Sequence, residues 1–205
     1  VSHISFSELK NSTTCTFYHK LTYIDKIKAF EGNEHTAFGT AMHTACEKVT
    51  LKPNKTDSRK IFLESFAREV ESLSHVDMNK KLVEEMKEQG VELAPLAVPA
   101  LKEYFGNYEV ISVEEELYEG IGEFSAAEFN FKGYIDLVVQ TSDGKFHIVD
   151  WKTCSWGWDS RRKNEKMTTY QLTFYKHYWA LKHDIDPALI ETHFALLKRT
   201  AKTNK

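Results

Sequence analysis

The chain has 205 residues, of which 41% are hydrophobic and 28% charged. That is the balance of a soluble globular protein, long enough to bury a core without disulfides or a structural metal. A formal net charge of −3 excludes a polyanion binder that works through overall basicity.

Three cysteines, Cys15, Cys46 and Cys154, are far apart and form no C-x-x-C pair, so free thiols in a reducing compartment are expected. No apolar run approaches the roughly 20 residues of a membrane helix, and the first residues lack a charged-then-apolar leader pattern. The cytoplasm of a bacterial or phage-infected cell is the expected location, with no membrane partner. One domain spanning 1–205 is expected, with a helical insert at 50–106.

Ser5 followed by Glu8 has capping-box spacing and predicts a helix start, and Phe17, Leu21 and Ile24 continue a helical stripe. Residues 32–35 read as a loop. Residues 38–49 read as a helix with Ala37, Ala41, Ala45 and Val49 on one face. Residues 57–73 are amphipathic through Ile61, Phe62, Phe66, Val70 and Leu73. Residues 79–89 repeat the pattern with Leu82, Val83 and Met86, and Gly90 is placed as a C-cap. Residues 93–105 suggest another helix, interrupted at Pro95 and Pro99.

At Tyr108 the period changes to two, and Val110, Ser112 and Glu114 alternate with Ile111 and Val113. Residues 129–139 and 146–151 are the next strands, joined by a hairpin turn at 142–145. A long aromatic-rich helix follows at 164–183 and a last strand at 191–197. Helices, a three-stranded meander, a helix and a strand make a mixed α/β sandwich rather than a doubly wound parallel fold.

Asp150 and Lys152 stand two apart at the end of a strand and so project together, with Trp151 facing away. An acid that holds a divalent metal and a lysine that stabilises phosphate charge or orients water can do hydrolytic work. An isolated D-x-K is more often a salt-bridged strand end. Asp136 strengthens the hydrolytic reading, because a lone carboxylate in an apolar strand is costly unless paired or metal-bound. The hairpin can bring it beside Asp150, and two carboxylates with a lysine suit Mg²⁺ or Mn²⁺. His43, four residues before Glu47 on a helix of small residues, adds a nitrogen ligand and tilts the choice toward Mn²⁺. Gln171 and Tyr175, four apart on the long helix, can reach such a site, although Tyr175 also fits a core position.

Gly39-x-x-x-His43, Gly133-x-x-Asp136, Asp150-x-Lys152-Thr153 and Gln171-x-x-x-Tyr175, in that order, resemble the RecB-like branch of the PD-(D/E)XK nuclease superfamily. The opening Ile4-Ser5-Phe6-Ser7-x-Leu9, with Cys15, Phe17-Tyr18 and Leu21-x-Tyr23-Ile24, is similar to that branch's N-terminal segment. The resemblance spans 4 to about 197. It implies a restriction-endonuclease-like core, a mixed central sheet flanked by helices, with an all-helical segment between the first helix pair and the sheet. It also implies metal-dependent DNA cleavage, with His43, Asp136, Asp150 and the Trp151 carbonyl as metal ligands and Lys152 assisting catalysis. Glu114 or Glu116 fills the place of an accessory acid, with Glu47 a further candidate. Many such domains are exonucleases or end-resecting modules of recombination, repair or phage DNA processing, which makes DNA, and repair or recombination proteins, the expected partners. Some relatives hold a [4Fe–4S] cluster through one early and three late cysteines. Cys15 matches the early position but no cysteine follows Cys154, so no iron–sulfur cluster is expected. The chain contains no ATP-motor motif.

Arg161, Arg162, Lys163 and Lys166 follow Lys152 closely, with Trp156 and Trp158 among them and Gly157 between. Cations for phosphates and rings for bases suit a strand-binding groove, and a local basic loop offsets the acidic total. The basic run at 198–205, which includes Lys198, Arg199 and Lys202, fits a DNA-contacting tail or an unstructured end. Two other readings stay open: a non-catalytic DNA-binding or assembly module with the same fold, and a nuclease acting on RNA.

Overall fold

In the computed structural model the described residues are 2–27, 30–122 and 129–199. Strand β1 (Ser2–Ser5) leads into α1 (Phe6–Thr14), which Ser5 caps by accepting from the Glu8 amide at 3.2 Å. The helical path continues through α2 (Thr16–His19) and a π-turn at Lys20–Ile24. The stripe expected there faces outward, with Phe17 and Ile24 both exposed. The side chain of Glu8 pairs with His19 at 3.0 Å.

Helix α3 (Glu34–Leu51) begins earlier than its apolar pattern suggests, inside the stretch expected to be a loop. Asn33 caps it with a reciprocal box to Thr36. Ala37, Ala41, Ala45 and Val49 are buried as the 3.6 period requires. Helices α4 (Ser58–Ser72), α5 (Lys80–Leu93) and α6 (Ala97–Phe105) complete the helical segment. Pro95 falls in the 3₁₀ turn Ala94–Leu96, and Pro99 in the first turn of α6, where a missing N–H breaks no intrahelical bond.

Gly90 is not a C-cap; α5 runs three residues past it. A Cβ at Gly90 would lie 2.0 Å from Cζ of the fully buried Phe62. The glycine is there so that the Phe62 ring can lie on the α5 backbone. Gly90→Ala is therefore expected to lower stability by about 1–3 kcal/mol through overpacking, although alanine is the better helix former. Urea unfolding measures this, and an unchanged or raised stability would refute it.

Strands β2 (Tyr108–Gly120), β3 (Phe129–Thr141) and β4 (Phe146–Cys154) form the expected antiparallel meander. After the short α7 (Ser160–Lys163), α8 (Lys166–His183) crosses back, and β5 (Ile190–Lys198) pairs parallel to β4. The order is β1-β3-β4-β5 with β2 on the other side of β3. One core lies between the sheet and α3 to α6, the other between the sheet and α8. No helix among the described residues is long and apolar enough to cross a membrane.

Glu115 ties β2 to α8. Its carboxylate accepts from Trp179 Nε1 at 2.9 Å, Lys182 Nζ at 2.7 Å and Ser112 Oγ at 2.5 Å, and pairs with His183 Nε2 at 2.6 Å. Burial opposes its charge, but these donors prevail and hold the carboxyl at about 2, below the ordinary 4.5. Because the folded value is the lower one, the stabilisation is complete above pH 4.5 and is lost as pH falls from there toward 2. Glu115→Gln should flatten that limb of the acid-unfolding curve, and curves of identical shape would contradict it.

Candidate active site

Where the sheet forks, its ladder is interrupted. On one edge β3 pairs with β1 through residues 129–132 and with β4 through residues 137–140. Residues 133–136 lie between the two partners. There the amide of Trp151, which would otherwise continue the ladder, donates to Oδ2 of Asp136 at 2.7 Å.

Alternation breaks at the same place. Residues of equal parity in a strand share a face, yet Ile135 packs in the α8 core and Leu137 in the opposite one. On β2, Val113 packs toward the α3–α6 core, while Leu117 lies in the α8 core and Glu115 bonds Trp179 there. The residues at the two reversals, Glu114 and Asp136, fall between the paired positions Val113↔Leu137 and Glu115↔Ile135. Glu114 takes a φ of +50°, a left-handed conformation that costs a non-glycine residue on the order of 1–3 kcal/mol and tends to persist where surrounding structure enforces it.

His43 reaches the fork from α3, with Nδ1 at 3.4 Å from Oδ1 of Asp136. His43, Glu114 and Asp136 each offer an atom within 4.8 Å of the others. Burial, then the nearby Asp136 and Glu47 carboxylates, push the Glu114 carboxyl up. For His43, burial works against the charged form, but the Asp136 contact prevails and the imidazole is raised.

Asp150 stands outside this triad. Its side chain is 3% exposed, and Oδ2 faces Nζ of Lys152 at 2.6 Å as an ion pair without a well-directed hydrogen bond. Burial pushes its carboxyl up to about 6, although Lys152 pulls the other way. The sealed carboxylate oxygen of Asp150, beside two converging acids and one imidazole, makes a donor set that suits a hard or borderline divalent cation. Trp151 contributes its amide to the fork and buries its ring in the α3–α6 core.

Gln171 donates from Nε2 to the Tyr175 hydroxyl at 3.0 Å. Tyr175 is buried, and its hydroxyl is pushed up to about 12 by that burial. Gly133 makes room for it, since a Cβ there would meet Tyr175 Cε1 at 2.9 Å. Glu47 lines the open pocket beside His43 and Glu114. Glu116 points elsewhere, to Lys132 at 3.2 Å and Tyr134 at 2.9 Å.

From Lys152 a stack of groups leads outward. Its Nζ lies 6.0 Å from the centre of the Phe194 ring, Phe194 is 4.9 Å from Trp158, and the Arg162 guanidinium sits 5.0 Å above Trp158. Lys152, Trp158 and Arg162 border a cleft of about 380 Å³ that also includes His35, Trp156 and Arg199. Trp156 is 77% exposed, and Arg161, Lys163 and Lys166 are exposed on α7 and the start of α8. Arg199 is already engaged within the cleft wall: it donates to Gln89 at 3.1 Å and to Ser155, and lies over Phe38. Lys202 lies outside the described residues. Phe194 and His35 carry no motif; Phe194 reads as an ordinary strand residue, and only packing brings both to the neighbourhood of the cleft.

Comparison with curated proteins returns no match. A profile of the PD-(D/E)XK nuclease superfamily, whose members cleave nucleic acids with divalent metals, matches residues 3–201. A mixed sheet flanked by helices, forked where these acids meet, is the restriction-endonuclease-like arrangement, and the chain belongs to the PD-(D/E)XK nuclease superfamily.

Proposed function

We propose that this chain is a deoxyribonuclease of the RecB-like branch, dependent on Mg²⁺ or Mn²⁺ and acting at DNA ends in recombination, repair or phage DNA processing. The observation that supports it most is the meeting of His43, Glu114, Asp136, Asp150 and Lys152 at the fork, beside a cleft of cations and rings. His43, Glu114, Asp136 and Asp150 would hold the metal, with the Trp151 carbonyl a further ligand, as in the family. When bound, the ion supplies neutralisation of phosphate charge and Lewis-acid polarisation.

The chain's own groups do the rest. Lys152, one-third exposed beside Asp150, directs its ammonium at the scissile phosphate or the attacking water. Tyr175, kept neutral by its burial and positioned by the Gln171 amide, keeps a hydroxyl available as a donor. Arg161, Arg162, Lys163 and Lys166 take backbone phosphates, while Trp156 and the Trp158–Arg162 stack receive bases. Of these cations, Arg162 lines the cleft itself. Arg161→Ala with Arg162→Ala should weaken DNA binding and make its salt dependence shallower by about one unit of slope for each phosphate no longer neutralised. Turnover at saturating DNA should be nearly unchanged. Fluorescence titrations at two salt concentrations read this, and a wild-type slope would move the DNA path off α7.

The nuclease reading is tested with linear duplex, circular duplex, single-stranded DNA and RNA, each with Mg²⁺, Mn²⁺ or EDTA. Linear DNA should be degraded with either metal and spared by EDTA. Equal cleavage of circular duplex would remove the requirement for ends, and cleavage of RNA alone would remove DNA as the substrate. DNA binding without cleavage under every metal would leave a non-catalytic module.

A further inference from the structure

We propose that His147, Glu191 and His193 form a second metal site, for Zn²⁺ or a similar borderline ion, that clamps the edge strand β5 to β4. It is separate from the fork: His147 lies three residues before Asp150 on β4, about 10 Å along the strand, and on the other face by parity.

The three side chains rise from adjacent parallel strands. His147 stands opposite Glu191, and His193 opposite Val149, so all three share the α6 side of the sheet. His147 Nδ1 is 3.1 Å from His193 Nε2 and 3.7 Å from Glu191 Oε2, and the three groups' donor atoms lie within 4.8 Å of one another. Ligands about 2.0–2.1 Å from a tetrahedral Zn²⁺ are about 3.4 Å apart. The first two separations straddle that value, so small side-chain movements would close a shell.

The surroundings prepare the ligands. The Thr141 hydroxyl donates to Asp143 Oδ1 at 2.5 Å, which leaves its oxygen to accept from His147 Nε2 at 2.9 Å. That chain fixes the proton on Nε2 and turns the Nδ1 lone pair inward. A ligating histidine is commonly oriented by such a bond from its second nitrogen. Glu191 is divided in the same way: Oε1 holds Lys145 Nζ at 2.5 Å, while Oε2 faces the imidazoles. Phe105 lies 4.8 Å from the His147 ring and 5.3 Å from that of His193, with Tyr104 5.6 Å from the latter. These rings form an apolar wall on one side. The other side opens into a pocket of about 460 Å³, which leaves a coordination position for water. A hydrogen bond between the two imidazoles explains the 3.1 Å approach alone; it leaves Oε2 of Glu191 aimed at the pair without a role. Two nitrogens and one oxygen favour Zn²⁺, Co²⁺ or Ni²⁺ over Mg²⁺ or Ca²⁺.

The test uses the whole chain carrying His43→Ala and Glu114→Gln, which removes the fork's imidazole, after stripping with a chelator. Co²⁺ should bind at one equivalent with the visible absorption of a four- or five-coordinate ion, and Zn²⁺ should displace it. Zn²⁺ should also raise Tm, since an ion that binds only the folded state stabilises it, and Mg²⁺ at equal concentration should not. Adding Glu191→Gln, a change at a half-exposed side chain, or His193→Ala should weaken Co²⁺ binding about ten-fold or more, since losing a ligand costs at least what losing a ligand's outer-shell partner does, and abolish the Zn²⁺-dependent rise. Absence of the absorption band, or unchanged affinity in both variants, would overturn the proposal. His193→Ala alone can fail to fold; Glu191→Gln, checked by circular dichroism, then decides. Neither readout involves cleavage, so the result is independent of the nuclease reading.

Discussion

Lys152→Ala is expected to cleave about 10²–10³-fold more slowly than the wild type, the usual cost of removing one charge-stabilising group, and to bind Mn²⁺ nearly as well. A protonated ammonium cannot ligate a cation, so what Lys152 contributes must fall on the phosphate or the water. Its position suits that role. Nζ is 2.6 Å from Asp150 Oδ2, and the side chain is one-third exposed beside the Phe194 ring at the mouth of the cleft. The variant has a second consequence. Lys152 is what pulls the buried Asp150 carboxyl down toward about 6, so its loss lets burial raise that value further. Measurements near pH 8 keep this from mimicking a loss of metal. Single-turnover cleavage and Mn²⁺ calorimetry on the same preparation separate chemistry from binding. Cleavage at the wild-type rate would end the assignment of this site as the nuclease centre.

Asp136→Asn should abolish measurable Mn²⁺ binding at the fork, and cleavage with it. Asp136 is the acid that meets His43 at 3.4 Å, belongs to the triad with Glu114, and stands across the fork from Asp150. Without its charge the remaining donors are one imidazole and two carboxyls that burial pushes toward their neutral forms. Asparagine is the informative replacement because its side-chain oxygen can still accept from the Trp151 amide, now held at 2.7 Å by the carboxylate. Alanine would leave that amide without an acceptor, at about 1–3 kcal/mol for an unsatisfied buried group, and would confuse folding with binding. Calorimetric titration of Mn²⁺ into both proteins is the measurement. Equal binding would show that the ion is held by other residues.

What the sequence determined by itself was the part governed by short-range chemistry. Ser5 before Glu8 marked the start of α1, the alanine period set the buried face of α3, and period-two alternation located the meander. The order of glycines, acids, lysine and glutamine was enough to point to the superfamily, because each residue type is tied to a local need. Gly133, for example, must admit the Tyr175 ring.

Tertiary structure alone decided what depends on distant partners. β1 is four residues long and exists through its pairing with residues 129–132, more than a hundred positions away. Gly90 looks like a helix end until Phe62 is placed on it. Glu114 and Glu116 have the same parity, so alternation cannot choose between them. The choice is made where β2 and β3 reverse their faces together, at Glu114 and Asp136, which sends Glu114 to the fork and leaves Glu116 with Lys132. The pairing of His147 with Glu191 and His193 likewise follows from the parallel register of β4 and β5. A parallel register is joined through α8 rather than a tight turn, so no local signal in the sequence records it.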